Sequence, residues 1–233
     1  MIFLLFEEVV IKPHIAWVGV EFFGKAGISC EPEIEKRQPF AMHPTETYAE
    51  IPLSSLKKGA VWRMRPIVLV GLMGVGKSTI GRRLAKKIGW HFVDSDEEIE
   101  LAAGCSVADI FSMHGEAIFR DLEKRVIARL VSDTPLVLAT GGGAWMQEPV
   151  RDIIKQKATS VWLRADLDVL MDRVSKRNHR PLLEKGDKRS IMRTLMDERY
   201  PVYASADLVV DSNHGPHERV VDMVLQALES SEA

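Results

Sequence analysis

The chain has very little cysteine: its 233 residues contain only Cys30 and Cys105, which are too far apart for a metal-type spacing. This scarcity excludes a disulfide-stabilised secreted scaffold, and we expect two buried thiols in a reducing compartment. A long apolar run is also missing. Residues 1–6 are apolar, but Glu7 and Glu8 end the run before it reaches the length of a signal sequence or a membrane span. We therefore expect a cytoplasmic protein with no membrane partner.

An excess of charge of one sign is absent as well. The chain carries 31 lysines and arginines against 33 aspartates and glutamates, which gives a formal net charge of −2. This balance gives no indication of a nucleic acid or an acidic membrane as partner. A composition of 46% hydrophobic and 27% charged residues is typical of a soluble globular protein. The seven histidines show no metal-ligand spacing.

A phosphate-binding loop is the clearest motif in the chain. Residues 71–78 match the pattern G-x-x-x-x-G-K-[ST], and the apolar residues 67–70 before them predict a buried strand. The glycines allow positive φ, so that backbone N–H groups and the dipole of the following helix can surround an anion. Lys77 is expected to reach the β- and γ-phosphates, and Ser78 to ligate Mg²⁺. The alternative is a glycine-rich turn with an unrelated Lys-Ser pair, a chance match on the order of 1%.

Apolar strands alternate with amphipathic helices from residue 66 onward. This alternation predicts an α/β fold with a parallel sheet covered on both faces, which binds ligands beyond the carboxyl ends of its strands. The strands are expected at residues 67–70, 91–93, 136–139, 160–163 and 208–210. The helices are expected at residues 77–88, 96–103, 106–113, 116–131, 149–157, 166–177, 188–203 and 216–229. The apolar stripe of the long helix is expected to include Ile118, Leu122, Val126 and Leu130.

Two polar segments follow predicted strands. Asp94, Ser95 and Asp96 end the second strand, where one carboxylate could hold Mg²⁺ or its water and the other could accept a proton from a hydroxyl. The alternative is a helix N-cap at Ser95 or Asp96. The third strand ends in the three glycines 141–143, whose N–H groups suit a ligand, although a flexible turn would also explain them. Beside a phosphate loop, both segments favour ligand binding.

Arginines supply the remaining candidates. Arg120 and Arg199 could both be solvated charges, but if both face the cleft, their planar guanidinium groups suit a small carboxylate substrate. Residues 173–189 carry seven basic side chains, and Pro181 interrupts the helical pattern among them. We expect a mobile basic loop in which one arginine closes over the transferring phosphate, while most of the other charges are solvated.

Residues 1–63 differ from the rest of the chain. They show no clean helical period, contain scattered prolines and offer no group of site residues. Residues 30–60 resemble a linker or a disordered arm. Met42 and Met64 are both candidate start residues. We therefore divide the chain into an N-terminal extension at residues 1–63, either disordered or not translated, and a nucleotide-binding domain at residues 64–233.

The motifs over residues 66–229 together resemble the shikimate kinase family. The resemblance rests on five segments in order: residues 71–79, 94–96, 115–120, 141–143, and 180–183 followed by 198–199. The phosphate loop is generic, whereas the other segments are specific in combination. Val202 stands where the family often has leucine, which is a mild departure. Residues 1–63 have no counterpart in the common core of the family.

The resemblance implies a three-layer α/β/α fold of the nucleoside-monophosphate-kinase-like P-loop type, with five parallel strands in the order 2-3-1-4-5. It implies ATP-dependent phosphorylation of the 3-hydroxyl of shikimate, on the route to chorismate and the aromatic amino acids. Mg²⁺ would be the cofactor. The partners would be the small molecules shikimate and ATP, and the protein would be a monomer.

The resemblance also implies a role for each matching residue. Catalysis would depend on Asp96, Lys77 and Arg180. The nucleotide would contact Gly74, Val75, Gly76, Lys77, Ser78, Thr79, Arg173, Arg180 and Gly215. Shikimate would contact Asp96, Arg120, Gly142, Gly143 and Arg199, with the two arginines on its carboxylate. Mg²⁺ would be held by Ser78 and, through a water, by Asp94.

Two other functions stay open at this point. A gluconate kinase would share the phosphate loop, the lid and a carboxylate acceptor, but residues 94–96 and 141–143 favour shikimate. A non-catalytic, shikimate-sensing regulatory module with the same fold would be expected to have lost Lys77, Asp96 or Arg180, and the chain contains all three.

Overall fold

The computed structural model describes residues 61–176, 187–213 and 215–231. Residues 1–60, which make up nearly all of the predicted N-terminal extension, lie outside these ranges, as does Cys30. Arg180 and residues 177–186 of the predicted basic loop also lie outside the described residues. The division of the chain between residues 63 and 64 stays a prediction.

A five-stranded parallel sheet forms the centre of the described fold. Its strand order, β2-β3-β1-β4-β5, confirms the predicted order and the parallel arrangement. The strands are β1 (Ile67–Val70), β2 (His91–Asp94), β3 (Leu136–Ala139), β4 (Thr159–Arg164) and β5 (Leu208–Asp211). In the register, Val68 is paired with Leu138 on one side and with Ser160 on the other. Because parallel strands end at the same edge, the segments that follow β1, β2 and β3 meet there.

Seven α-helices connect and cover the strands within the described residues. They are α1 (Lys77–Ile88), α2 (Ser95–Ala103), α3 (Val107–Asp133), α4 (Glu148–Lys157), α5 (Leu167–Ser175), α6 (Lys188–Tyr203) and α7 (His217–Ser230). Short 3₁₀ turns occupy Val61–Met64 and Ala144–Met146. The strand and helix bounds agree with the sequence-based prediction to within two residues, except in α3.

The phosphate loop passes into α1 at a glycine. Gly76 is the N-cap of α1 and has φ 101°, a left-handed conformation that residues with a Cβ rarely adopt. Ile80 and Leu84 are fully buried, whereas Arg82 and Arg83 are exposed. Helix α1 is therefore amphipathic, as expected of the helices in this part of the chain, and the burial of its apolar face fixes the orientation of the loop.

Helix α3 unites two segments that were predicted as separate helices. It runs from Val107 to Asp133, but Gly115 has the non-helical angles φ 78° and ψ 176°, and the helix is kinked there. The N-terminus carries a capping box between Ser106 and Asp109. The gap that was expected between helices at residues 106–113 and 116–131 is therefore a kink at Gly115 within one helix.

The buried face of α3 includes Leu122 and Val126 as predicted, whereas Leu130 is only partly buried. Ile118 is 40% exposed, and Phe119 is buried in its place. The Phe119 ring packs across the kink against Phe111, with ring centroids 4.5 Å apart. A second hydrophobic cluster, separate from the main core, consists of Ile99, Ile110, Phe119, Leu122 and Val126. Helices α2 and α3 therefore share a small core beside the sheet.

Cys105 is half-buried and forms no disulfide, so the prediction that it is buried was wrong. It lies in the short link between α2 and α3, next to Gly104. Among the helices that the structure describes, none combines the length and the apolar character needed to cross a bilayer.

The main core begins before strand β1. Trp62 is only 4% exposed, and its ring centroid lies 6.1 Å from that of Trp90. Arg65 donates hydrogen bonds from Nη2 to the carbonyls of Lys155 and Gln156, at 3.1 and 2.9 Å, where α4 ends. The segment before β1 is thus attached to the domain by packing and by hydrogen bonds.

The burial of Trp62 gives a test of where the folded domain begins. Trp62→Ala should lower the free energy of unfolding by about 3 kcal/mol, because it empties a packed site in the core. Met64→Ala is the matched control, since Met64 is 79% exposed and its truncation should leave stability unchanged. Both variants are compared by thermal and urea unfolding. Equal stability of the two variants would support a domain that begins at residue 64.

Candidate active site

The phosphate loop is folded around its own lysine. Lys77 Nζ donates hydrogen bonds to the carbonyls of Gly71 and Leu72, at 2.7 and 3.1 Å. Gly74 packs against α5, where a Cβ would lie 2.7 Å from Val174. The lysine ammonium is therefore held at the mouth of the loop, where β- and γ-phosphates would meet it. Gly76, Ser78 and Thr79 follow at the start of α1.

Ser78 and Asp94 bring together two oxygens suited to Mg²⁺. Ser78 Oγ donates a hydrogen bond to Asp94 Oδ2 at 2.7 Å, and Asp94 Oδ1 accepts one from the Asp96 backbone N–H at 3.1 Å. Asp94 is thus the N-cap of α2, so the alternative reading of this segment, a cap at Ser95 or Asp96, does not hold. A hydroxyl beside a carboxylate fits Mg²⁺, which takes only one or two protein ligands when waters and phosphates supply the rest.

Asp96 lies beside this pair with one oxygen uncommitted. Asp96 Oδ1 is buried and has no hydrogen-bond partner among the described residues. Burial raises the pKa of Asp96, and the neighbouring Asp94 carboxylate raises it further, while Lys77 opposes the shift. A carboxylate in this position can accept a hydrogen bond or a proton from a substrate hydroxyl.

The glycine turn after β3 packs directly against these side chains. The buried Ser95 accepts a hydrogen bond from the Gly141 N–H through its Oγ, at 3.1 Å. A Cβ on Gly141 would lie 2.9 Å from both Asp96 Oδ1 and Glu123 Oε1. The N–H groups of Gly142 and Gly143 have no acceptor within the described part of the chain. The turn therefore offers two open amide donors beside a carboxylate.

Arg120 is fixed by two carboxylates of its own helix. It donates to Glu123 Oε2 from Nη1 at 2.7 Å, and to Glu116 Oε1 from Nε and Nη2 at 3.1 and 3.0 Å. A Cβ on Gly143 would lie 2.5 Å from Arg120 Nη2. The guanidinium therefore faces the glycine turn. Of the two possibilities left open by the sequence, a solvated charge or a side chain that faces the cleft, the second describes Arg120.

Glu123 and Gln147 are site residues that the sequence analysis missed. The Glu123 side chain has no exposed surface, and its Oε2 also accepts a hydrogen bond from Gln147 Nε2 at 2.7 Å. Burial raises the pKa of Glu123, although the donors Arg120 and Gln147 oppose the shift. Glu123 Oε1 is buried and has no partner among the described residues. The only signal in the sequence was the spacing of three residues from Arg120.

Arg199 approaches the same turn from α6. Its Nη1 donates a hydrogen bond to the Gly142 carbonyl at 3.0 Å. In the described part of the chain it has no carboxylate partner. Arg120 and Arg199 thus lie on two sides of one glycine turn, and an anion between them would have two guanidinium groups to bind.

Arg173 links the phosphate loop to the segment after β5. It donates to the carbonyls of Val75 and Asn213, at 3.1 and 2.8 Å, and to Ser212 Oγ at 3.2 Å. Gly215 follows two residues later with φ 110°. Two of the predicted nucleotide contacts, Val75 and Arg173, are therefore hydrogen-bonded to each other, and the assignment of the nucleotide site to them and to Gly215 stays a prediction.

Comparison with known proteins agrees with this geometry. The sequence model of the family described as shikimate kinase matches residues 73–229, more than half of the chain. The chain belongs to the shikimate kinase family. The shikimate kinase of Paramagnetospirillum magneticum is 54% identical over 164 residues, which cover 70% of this chain and 84% of the relative. That of Bradyrhizobium diazoefficiens is 54% identical over 164 residues, covering 70% and 79%.

Solved shikimate kinases have the same fold. The enzyme of Acinetobacter baumannii, in complex with shikimate, superposes with a TM-score of 0.70 at 37% identity and covers 74% of this chain and 97% of its own. The Aquifex aeolicus enzyme superposes with a TM-score of 0.61 at 34% identity, covering 71% and 96%. Membership of the shikimate kinase family makes this chain a kinase. Except for Arg180, every predicted site residue lies in its described part.

Gly143 gives a steric test of the shikimate kinase site. In Gly143→Ala the new methyl group would overlap the Arg120 guanidinium, so Arg120 must move. We expect the KM for the phosphoryl acceptor to rise by about tenfold or more, with the KM for ATP unchanged. Gly142→Ala is the backbone control, because its methyl would have only ordinary contacts, the nearest at 3.5 Å, and its melting temperature should equal that of wild type. An unchanged acceptor KM in Gly143→Ala would contradict the placement of Arg120.

Glu123→Gln tests whether Glu123 serves acceptor binding and not the stability of the fold. Because the pKa of Glu123 is raised by folding, the folded protein retains this proton at pH values where the unfolded chain has lost it. Stability therefore falls as pH rises through that interval, and the ionised carboxylate is destabilising above it. Glu123→Gln should melt no lower than wild type at neutral pH, yet its acceptor KM should rise by about tenfold because Arg120 loses the buried one of its two ionic partners and keeps only Glu116. A large loss of stability would contradict this account of Glu123.

Proposed function

We propose that this kinase transfers the γ-phosphoryl group of ATP to the 3-hydroxyl of shikimate. One observation carries the proposal. Two guanidinium groups, Arg120 and Arg199, flank a turn with open amide donors, and the uncommitted Asp96 Oδ1 faces the same turn. A small molecule with a carboxylate at one end and a hydroxyl at the other fits this arrangement. The relatives named above, one of them solved with shikimate, support the choice of acceptor.

The proposed mechanism depends on positioning and on charge. Phosphoryl transfer passes through a loose transition state, so the protein has little covalent chemistry to perform. Lys77, held at the mouth of the loop, would stabilise the charge on the β- and γ-phosphate oxygens. Asp96 would orient the 3-hydroxyl towards the γ-phosphate and accept its proton at Oδ1 as the new P–O bond forms and the bond from the γ-phosphorus to the β–γ bridging oxygen breaks, with ADP as the leaving group. The raised pKa of Asp96 favours that acceptance.

The metal that we propose is Mg²⁺. Ser78 Oγ would bind it directly and Asp94 through a water, as the 2.7 Å contact between Ser78 Oγ and Asp94 Oδ2 supports. When bound, Mg²⁺ neutralises charge on the β- and γ-phosphates. Arg180 would provide a further cation at the transferring phosphate, and this assignment comes from the family motif because Arg180 lies outside the described residues.

The remaining assignments belong to the same proposal. The balance of charge gives no support for a nucleic acid partner, and we propose a monomer acting in the cytoplasm on two small molecules. Gluconate is the second candidate acceptor, since it also combines a carboxylate with hydroxyls. It is disfavoured because the family model that matches the chain and the relatives named above, which are 54% identical, are those of shikimate kinases. A regulatory role without catalysis is disfavoured by the presence of both Lys77 and Asp96.

The proposed acceptor is tested by assaying ADP release with a coupled system. Shikimate, quinate and gluconate are supplied in parallel with Mg²⁺ and ATP, and the reaction without acceptor measures background hydrolysis. We expect turnover with shikimate to exceed that with the other two acids by at least about a hundredfold. The phosphorylated position is established by NMR of the product. Comparable turnover with gluconate would overturn the assignment.

Asp96→Asn tests the proposed proton acceptor. The amide retains the size of the side chain but cannot take the proton, so kcat should fall by about a hundredfold or more. ATP affinity, measured by titration calorimetry, should remain that of wild type because Asp96 would not contact the nucleotide. Glu97→Gln, an exposed acid in the same turn of α2, is the matched control and should keep full activity. Unchanged turnover in Asp96→Asn would remove Asp96 from the mechanism.

A further inference from the structure

Tyr203 reaches the glycine turn from the last residue of α6. It is fully buried, and its hydroxyl donates a hydrogen bond to the Gly142 carbonyl. Burial raises the pKa of Tyr203 to about 12, although the adjacent Arg199 opposes the shift. The hydroxyl therefore keeps its proton at physiological pH and acts as a permanent donor. Arg199 donates to the same carbonyl at 3.0 Å, so two side chains of one helix hold a single backbone group.

Fixing the Gly142 carbonyl also fixes the amide group on the other side of the same peptide bond. The peptide unit is planar and trans, so the Gly143 N–H points away from the Gly142 C=O. This N–H has no acceptor among the described residues, and the Cα that follows it packs against Arg120. The hydrogen bond from Tyr203 thus determines the direction of an open donor next to a guanidinium.

The side chains packed around Tyr203 hold its hydroxyl, and with it the Gly142 carbonyl, rigidly in place. Its ring packs against Trp162, with ring centroids 6.0 Å apart, and against Tyr200 at 6.3 Å. Trp145 Nε1, just after the glycine turn, donates a hydrogen bond to the Val202 carbonyl at 3.1 Å. The turn and the end of α6 are therefore joined at two points. A rigid support of this kind is what an accurately placed donor needs.

We propose that Tyr203 is a positioning residue that makes this kinase selective for acceptors with a carboxylate. Through the Gly142 carbonyl, its hydroxyl holds the Gly143 N–H, next to Arg120, in the orientation that meets the acceptor carboxylate. Tyr203 itself does not touch the substrate. This inference rests on the proposed function, because it takes shikimate as the acceptor.

The test compares Tyr203→Phe with Tyr200→Phe. Both variants lose one tyrosine hydroxyl that donates to a backbone carbonyl, but Tyr200 is half-buried and its hydroxyl donates to Ala165, away from the glycine turn. We expect the KM for shikimate to rise about fivefold in Tyr203→Phe only, while the KM for ATP stays within about twofold of wild type in both. The melting temperatures of the two variants should be similar. An equal rise of the KM for shikimate and the KM for ATP, or an equal rise of the KM for shikimate in both variants, would show that Tyr203 has only a structural role.

A second acceptor without a carboxylate tests whether the effect of Tyr203 depends on that group. It is the analogue of shikimate in which the carboxylate is reduced to a primary alcohol, and its kcat/KM is measured for wild type and for Tyr203→Phe. The proposal predicts equal values of kcat/KM for the analogue in the two proteins, so that only the preference for the acid falls. An equal loss with both acceptors would overturn the proposal.

A measurement on the wild-type protein covers the case in which Tyr203→Phe does not fold. The Gly143 amide resonance, followed by ¹⁵N NMR, should move on addition of shikimate and move much less with the alcohol analogue. Failure of the Gly143 resonance to respond to shikimate would contradict the inference. A wild-type protein that does not phosphorylate shikimate would instead refute the proposed function, and the two failures are therefore distinguishable.

Discussion

The close approach of charged side chains to one glycine turn is the constraint on which the site depends. A Cβ on Gly141 would meet carboxylate oxygens of Asp96 and Glu123 at 2.9 Å, and one on Gly143 would meet Arg120 at 2.5 Å. The requirement at Gly143 is steric, because its φ of −95° is open to any residue. Only the absence of a Cβ lets α2, α3 and the turn come together at this point.

The same close packing leaves several polar and charged groups of the site without a partner among the described residues. Two buried carboxylate oxygens, Asp96 Oδ1 and Glu123 Oε1, have no partner among the described residues, and burial raises the pKa of both groups. On the other side of the turn, Arg199 has no acidic partner in the described part of the chain. Buried polar groups without partners are destabilising, and a ligand that supplies both a hydroxyl and a carboxylate would satisfy both ends. Stability of the empty protein and affinity for the acceptor therefore oppose each other here.

The sequence predicted the elements of the fold because these depend on local patterns. The phosphate loop and the strand bounds follow from short segments whose apolar period and glycines are visible directly, whereas the strand order and the roles of the site residues came from the resemblance to the shikimate kinase family. Glu123 and Tyr203 were missed because a charged residue on a helix and a tyrosine at a helix end acquire their roles only through tertiary packing. Ile118 was placed on the wrong face for a similar reason, since Phe119 packs across the kink at Gly115.

The two halves of the site are joined through Gly142. A Cβ at Gly142 would lie 3.5 Å from Arg199 and 3.7 Å from both the Gly71 carbonyl and the Met73 N–H, so the turn contacts the phosphate loop on one side and α6 on the other. The Gly71 carbonyl in turn accepts a hydrogen bond from Lys77. A kinase gains most from holding its two substrates at a fixed separation, because the transition state demands alignment rather than covalent assistance. The parallel pairing of β1 with β3 fixes that separation, since both loops begin where these neighbouring strands end.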